Sequence, residues 1–237
     1  MIYFVRRGKI KEVQEEAKMN QAFQVDSPIR NTGETILHIC AEYGQADLFR
    51  FFVNDFKGNV MAKNHAEETP FIIAAKEGRV NILNLYLEEY SKVPEYKFYI
   101  DHYQLDGWTA LMYAAMNGLA TTVELLAKEG KADVNHFDRF QRTALHWACR
   151  FDSCKVAEVL LGLKANVNYK DIEQLTPAQL ARHYNNGEIA SIIDNYAKNK
   201  KNERERRKKM KEERDRQERQ KAQALEDQKK KEAMEAK

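Results

Sequence analysis

Few of the residues that could act in catalysis or metal binding have the spacing that a catalytic or metal-binding motif requires. His146 and Cys149 are three residues apart, so they would share one face of a helix and could in principle share a metal ion. Both also occupy positions of a repeat, which favours a structural role. No serine lies in a Gly-x-Ser-x-Gly segment, and the sequence has no phosphate-binding glycine loop and no His-Glu-x-x-His motif. The acidic pairs Glu67-Glu68 and Glu88-Glu89 are typical of a solvated surface. We therefore predict no catalytic residue, no metal site and no cofactor.

The elements that would position any site are repeated along the chain. A threonine opens five similar segments, at intervals of 34, 40, 34 and 33 residues. We number the repeats 1 to 5 by these threonines. The segments are Thr35-Ile36-Leu37-His38, Thr69-Pro70-Phe71-Ile72, Thr109-Ala110-Leu111-Met112, Thr143-Ala144-Leu145-His146 and Thr176-Pro177-Ala178-Gln179.

Each repeat predicts a short helix, a tight turn, a second helix and a loop. Threonine is a good helix N-cap, and proline at the next position suits the first helical turn. Small residues follow five and six positions after the threonine in repeats 1 to 4, as Ala74 and Ala75 do, and would let helices approach closely. Gly, Asp or Asn stands nine positions after each threonine, where a left-handed residue can end the helix. Apolar residues then return at helical spacing.

This pattern resembles the ankyrin-repeat family, in which a period of 33 residues opens with a Thr-Pro-Leu-His-x-Ala motif. The loops Ala132-Asp133-Val134-Asn135 and Ala165-Asn166-Val167-Asn168 are similar to the family's loop element. The resemblance covers residues 1–197. It implies an all-α ankyrin-repeat solenoid with short β-hairpin-like loops, whose units bury their core only by stacking.

Two parts of the repeat region depart from the pattern. Residues 1–32 resemble a truncated N-terminal unit, with Gly8 as the turn, although an unrelated amphipathic helix would also fit. The interval of 40 places an insert at residues 88–97, which contains Tyr90 and Tyr96 and lies next to Phe98 and Tyr99. Its aromatic side chains could pack on the stack or form a knob that contacts a partner.

Composition predicts a protein of a reducing compartment. Three cysteines without paired spacing argue against a disulfide framework. The apolar start of the chain is followed at once by Arg6-Arg7, so we expect no signal peptide, and no run is long and apolar enough for a membrane span. We expect a cytoplasmic protein, with a cytoskeletal or ciliary site as one candidate and the nucleus as an alternative.

The C-terminal segment, residues 198–237, differs in charge from the repeat domain, residues 33–197. From Lys198 onward there are 17 Lys/Arg and 10 Asp/Glu, a net charge of +7, so the rest of the chain carries −4 of the total +3. Without Gly or Pro and with recurring i,i+4 pairs of opposite charge, the segment predicts a long charged helix. Its few apolar residues form no heptad, so self-association through it is not expected.

Three roles fit this basic tail: a solvated spacer, a helix that lies on an acidic surface, or a nucleic-acid-binding or nuclear-import segment. The asymmetry of charge points to an anionic partner. The candidate contacts for an acidic surface are Arg204, Arg206, Arg207, Lys208, Lys209, Lys211 and Arg214.

The resemblance also implies where a partner protein would bind, because ankyrin repeats generally bind through hairpin tips and the exposed face of the first helices. Those positions are −6, −4, −3, −1, +7 and +8 relative to each threonine. In repeats 3 and 4 they are rich in the aromatic residues and arginine found in interface hot spots. The candidate partner-binding residues are Tyr103, Leu105, Trp108, Met116, Phe137, Arg139, Phe140, Arg142, Arg150 and Phe151.

These observations favour a non-enzymatic adaptor or scaffold. Its concave face would bind an apolar and acidic segment of another protein, and its tail would dock on an acidic surface such as a microtubule. Two alternatives remain open: a regulatory nucleic-acid-associated protein, although the tail lacks aromatic residues for base stacking, and a regulatory subunit of an enzyme.

Overall fold

The computed structural model describes residues 1–20, 23–29, 31–90 and 106–235, with the side chains of 223–235 left aside. These residues form two units, Met1–Ile193 and Asp194–Lys237. The helices of the described residues are α1 (Ile2–Arg6), α2 (Ile10–Met19), α3 (Ile36–Tyr43), α4 (Ala46–Phe56), α5 (Pro70–Lys76), α6 (Val80–Leu85), α7 (Ala110–Met116), α8 (Ala120–Lys128), α9 (Ala144–Arg150), α10 (Cys154–Gly162), α11 (Pro177–His183) and α12 (Gly187–Glu235). The prediction of an all-α fold is confirmed.

The first helix of each repeat, here called the inner helix, begins directly after the repeat threonine. The inner helices are α3, α5, α7, α9 and α11, and consecutive inner helices pack on one another. Thr69, Thr109 and Thr176 each accept a hydrogen bond from the backbone N–H three residues on, which caps the helix. The predicted small residues are buried at these contacts: Cys40, Ala74, Ala75, Ala114, Ala115, Ala148 and Cys149 are fully enclosed. Close approach between neighbouring repeats therefore depends on these small side chains.

Two histidines connect one repeat to the next. The Nδ1 atom of His146 accepts the Thr143 N–H (3.1 Å), so Nε2 carries the ring proton and donates it to the Leu175 carbonyl of repeat 5 (3.3 Å). His38 contacts Thr35 and the Glu68 carbonyl of repeat 2 in the same way (3.1 and 3.0 Å). Burial lowers the pKa of His146 to about 4 and also lowers the pKa of His38. Both rings are therefore held neutral inside the fold.

An Asn or Asp five positions before the repeat threonine shapes each described hairpin. The Oδ1 atom of Asp138 accepts the N–H groups of Phe140 (2.8 Å) and Arg142 (2.9 Å). Asn64 and Asp171 make the equivalent pairs of bonds in repeats 2 and 5. The residue two positions before each threonine is left-handed, and it is glycine in two repeats and Glu or Gln in the others. In these three turns a side-chain carboxylate or amide thus adds to the backbone hydrogen bonds, such as that from the Asp138 N–H to the Arg142 carbonyl (3.0 Å).

Backbone hydrogen bonds also join the hairpins of consecutive repeats. In each case the N–H four positions before one threonine reaches the carbonyl three positions before the preceding threonine. The described bonds are His65 to Thr32 (2.8 Å), Arg139 to Asp106 (2.9 Å) and Ile172 to Phe140 (3.0 Å). The hairpins are therefore hydrogen-bonded to one another in a row beside the stacked inner helices.

The N-terminal segment forms a helix pair against repeat 1. The five-residue helix α1 packs on α2 and on α3, and Gly8 between them has the left-handed conformation, with φ of 63°. Val5, Val13 and Ala17 bury their side chains in this contact region. A shortened unit of the repeat type accounts for these observations, and the bounds 1–32 remain a proposal.

A π-helical turn, Tyr86–Tyr90, continues α6 and includes the first residues of the predicted insert. The hydroxyl of Tyr86 donates to the Val60 carbonyl (2.8 Å), and Tyr90 is buried with its ring 6.5 Å from that of Phe49. This tyrosine packs on the stack. The rest of the insert, residues 91–97, lies outside the described residues.

Helix α12 begins as the second helix of repeat 5 and continues into the basic tail. Ile189, Ala190 and Ile193 are buried within the first unit. In the second unit the seven predicted basic residues of the tail are all exposed. Glu203 pairs with Arg207 as predicted, and the pairs Lys208–Glu212 and Arg214–Glu218 (both 3.8 Å) are also present. None of the helices in the described residues is both long enough and apolar enough to cross a membrane.

We predict that His146 makes the stability of the repeats depend on pH. A group with a lowered folded pKa stabilises the fold above its ordinary pKa of 6.5, and this contribution is lost as pH falls towards 4. The loss is at most about 3.5 kcal/mol, from about 1.4 kcal/mol per pKa unit. His146→Gln should flatten the decline, because Gln179 already fills the equivalent position in repeat 5 and bonds Thr176. Urea unfolding at pH 7.5 and 4.5 measures the free energy of unfolding of the wild type and of the variant. An equal decrease between the two pH values in both proteins would contradict the role given to His146.

Candidate partner-binding surface

Aromatic rings and cations contact one another in a continuous series along the inner helices of repeats 2 to 5 and at the ends of these helices. We call this set the aromatic–cation ladder. Its members are Lys76, Trp108, Tyr113, Trp147, Arg150, Phe151 and Tyr184. The Nζ of Lys76 lies 5.5 Å from the ring centre of Tyr113, which in turn lies 4.9 Å from that of Trp108. The ladder therefore starts on α5 and continues without a break into repeat 3.

The two tryptophans of the chain form the centre of the ladder. The ring centres of Trp108 and Trp147 are 4.1 Å apart, across the boundary between repeats 3 and 4. Trp147 is buried and donates its indole N–H to Oδ2 of Asp138 (3.0 Å), while Trp108 is half-buried. Burial raises the pKa of Asp138, and the backbone N–H groups of the hairpin oppose that effect. The same carboxylate thus shapes the hairpin and orients the inner ring.

Arg150, the last residue of α9, lies among three rings. Its guanidinium carbon is 5.4 Å from the ring centre of Trp147, 5.8 Å from that of Phe151 and 5.1 Å from that of Tyr184. Phe151 is 49% exposed and Tyr184 is 38% exposed, so this end of the ladder is open to solvent. Cation–π contacts hold the guanidinium in place while water reaches the rings around it.

A second apolar feature lies at the hairpins of repeats 4 and 5. Phe137 and Tyr169 are 59% and 43% exposed, and with Gln141, Thr143 and Lys170 they line a shallow pocket of about 290 Å³. The Ile172 side chain of the same hairpin is also exposed. Exposed apolar side chains are thus concentrated on repeats 4 and 5.

The structure places most of the predicted partner-binding residues at accessible positions. Phe137, Arg139 and Phe151 are exposed, and Trp108, Met116, Phe140 and Arg150 are half-buried. Tyr103 and Leu105 lie outside the described residues. The ladder brings Trp108, Arg150 and Phe151 into one array. The exposed Arg139 instead pairs with Asp106 (2.5 Å) and stacks on Phe140.

Arg142 was predicted as an exposed contact, and this prediction is wrong. Its side chain is buried, and its Nε donates to Asp171 (3.2 Å) while a terminal nitrogen donates to Glu173 (3.0 Å). Both carboxylates belong to the hairpin of repeat 5, which covers the guanidinium. Arg142 therefore joins two repeats and is not available to a partner.

Sequence reasoning missed five residues of this surface: Tyr113, Trp147, Tyr169, Ile172 and Tyr184. Ile172 and Tyr184 occupy the −4 and +8 positions of repeat 5, so extending the family positions to that repeat would have found them. Tyr113 and Trp147 both stand four residues after their threonine, where repeats 1 and 2 carry isoleucine. Comparing the residue four positions after each threonine across the repeats would have revealed these two rings.

The histidine and cysteines considered as candidate catalytic or metal-binding residues have structural surroundings. Both ring nitrogens of His146 are hydrogen-bonded, and burial raises the pKa of the Cys149 thiol well above its ordinary value. Burial is also the largest cause of the raised pKa of Cys154. Within the described parts of the chain, no three His, Cys, Asp or Glu side chains are grouped as a metal would require.

Comparison with known proteins agrees with this architecture. The family model for ankyrin repeats (3 copies) matches residues 2–96 and 93–171, which is more than half of the chain. The chain therefore belongs to the ankyrin-repeat family. This family is generally a non-enzymatic, protein-binding fold.

The relatives are longer proteins that match this chain over a small part of their length. The chain is 28% identical over 177 residues to Neurogenic locus notch homolog protein 1 of Xenopus tropicalis, covering 72% of this chain and 7% of that protein. It is 35% identical over 104 residues to Inversin of Canis lupus familiaris, covering 40% and 10%. It is 35% identical over 115 residues to Alpha-latroinsectotoxin-Lt1a of Latrodectus tredecimguttatus, covering 48% and 8%. The chain thus spans a tenth or less of the length of these relatives.

We predict that Arg142→Ala destabilises the repeats by about 3 kcal/mol, because it leaves the buried carboxylate of Asp171 without its partner. Arg139→Ala is the matched control in the same hairpin. Its exposed ion pair should contribute less than about 1 kcal/mol. Urea unfolding followed by circular dichroism measures both changes. Equal losses for the two variants would show that Arg142 does not join the hairpins.

Proposed function

We propose that this chain is an adaptor whose aromatic–cation ladder binds a segment of a partner protein. The observation that carries the proposal is the continuity of the ladder across repeats 2 to 5, with its exposed end at Phe151 and Tyr184. Packing within a repeat requires only small and aliphatic residues, as α3 illustrates with Ile39 and Cys40. Rings and arginine at the same face are the side chains enriched in interface hot spots.

The second part of the proposal concerns the basic tail, which would dock on an acidic surface. Its candidate residues Arg204, Arg206, Arg207, Lys208, Lys209, Lys211 and Arg214 are all exposed. The net charge of +7 of residues 198–237 favours association with an anionic surface. An acidic cytoskeletal filament is one such surface, and a cytoplasmic or ciliary location would follow from it.

Affinity purification of the full chain from its native cells tests the ladder. We predict that Phe151→Ala combined with Tyr184→Ala removes the partner of the repeats. The control is Lys155→Ala combined with Glu158→Ala, two exposed positions of α10 in the second helix of repeat 4. Both variants should unfold at nearly the wild-type urea concentration. Retention of every partner by the folded ladder variant would contradict the proposal.

A separate comparison tests the tail. Arg206, Arg207, Lys208 and Lys209 changed together to Gln should preserve the helix and abolish binding to an acidic filament, because Gln is also a good helix former. As the control, Glu203, Glu205, Glu212 and Glu213 changed to Gln should preserve or strengthen binding. Co-sedimentation with purified microtubules at 50 and 200 mM salt measures both. Binding only to nucleic acid, sensitive to nuclease, would favour the nuclear alternative.

A further inference from the structure

Four cations lie over aromatic rings on the hairpins and inner helices of repeats 2 to 5, and three of them are neutralised within the chain. Lys76 pairs with Glu68 (3.1 Å), Arg139 pairs with Asp106 (2.5 Å), and Arg142 pairs with Asp171 (3.2 Å). The fourth is Arg150. Among the residues that the structure describes, no carboxylate pairs with its guanidinium.

Three aromatic rings fix the position of Arg150, and no hydrogen bond from its guanidinium is present among the described residues. Trp147, Phe151 and Tyr184 contact the guanidinium through their ring faces, as the centroid distances of 5.1 to 5.8 Å indicate. A guanidinium has five N–H donors in a planar fork, and that fork matches the two oxygens of a carboxylate. A half-buried guanidinium held in this way needs little reordering before it binds an anion.

The neighbours of Arg150 define what should lie beside that anion. Phe151 and Tyr184 expose their rings directly after α9 and α11, and Phe151 is stacked on Trp147 with an interplanar angle of 24°. An apolar side chain that covers these rings would exclude water from the ion pair and strengthen it.

We propose that Arg150 is the anchor for an aspartate or glutamate side chain of the partner segment, next to an aromatic or large aliphatic residue that packs on Phe151 and Tyr184. This inference rests on the proposed function of the ladder and specifies the chemistry of its partner. Charge complementarity selects the occupant: a carboxylate neutralises Arg150, the one of these four cations that no described carboxylate pairs with.

Selection of displayed random dodecapeptides on the full chain tests the inference. Enriched peptides should share an Asp or Glu within two residues of an aromatic or large aliphatic side chain. The most enriched peptide and its Glu→Gln or Asp→Asn form are then synthesised, and their affinities are measured by fluorescence anisotropy. We expect the neutral peptide to bind at least tenfold more weakly than the acidic one.

A double-mutant cycle assigns that loss to Arg150. Arg150→Gln should weaken the acidic peptide at least tenfold and leave the affinity of the neutral peptide nearly unchanged, so that the two changes are not additive. Arg150→Lys should give an intermediate loss, because the ammonium keeps the charge without the planar fork. Lys155→Gln, at an exposed position on α10, is the matched control and should leave both affinities unchanged.

The outcomes separate this inference from the proposed function. Peptides that lose affinity with Tyr184→Ala but bind Arg150→Gln as tightly as the wild type would overturn the role of Arg150 and leave the ladder as the binding surface. If no enriched peptide loses affinity with Tyr184→Ala, the ladder itself is not the binding surface, and both proposals are overturned. Circular dichroism of each variant must show the wild-type helix content.

Discussion

The stacking of one helix pair on the next is the constraint on which the structure depends. A two-helix unit of about 33 residues has too little interior to stabilise itself, so each repeat buries its apolar residues against its neighbours. Small residues at Ala74, Ala114 and Ala148 permit that approach, and the rings of His38 and His146 carry hydrogen bonds across it. These contacts fix how neighbouring repeats are placed, and therefore also the relative positions of the side chains on their surface.

The same contacts align the aromatic–cation ladder. Asp138 bonds the hairpin backbone with one oxygen and the Trp147 indole with the other, so the turn of repeat 4 and the centre of the ladder share one residue. Arg142 then fixes the hairpin of repeat 5 through Asp171. Structural residues thus determine the spacing between Trp147 and Tyr184, and the rings between them hold Arg150. A rigid array of this kind reduces the entropy lost when a partner binds.

Sequence periodicity predicted the helix pairs, their caps and the buried small residues because these depend on local residue type. From family positions the sequence named Phe151 and Trp108 as candidate contacts, and the structure has the first exposed and the second half-buried. It failed at Arg142, because burial of that side chain depends on two carboxylates about thirty residues away, which no local pattern reveals. It also missed Trp147, since a ring four residues after the threonine looks like an ordinary core residue until the Trp108 contact is known.

Photocross-linking of the partner tests the account most directly. The photoreactive residue p-benzoylphenylalanine, placed at Phe151 in one full-length chain and at Glu158 in another, probes the ladder and the second helix of the same repeat. The account predicts that the partner isolated with the wild-type chain cross-links from position 151 and not from position 158. Cross-linking from position 158 alone would contradict it.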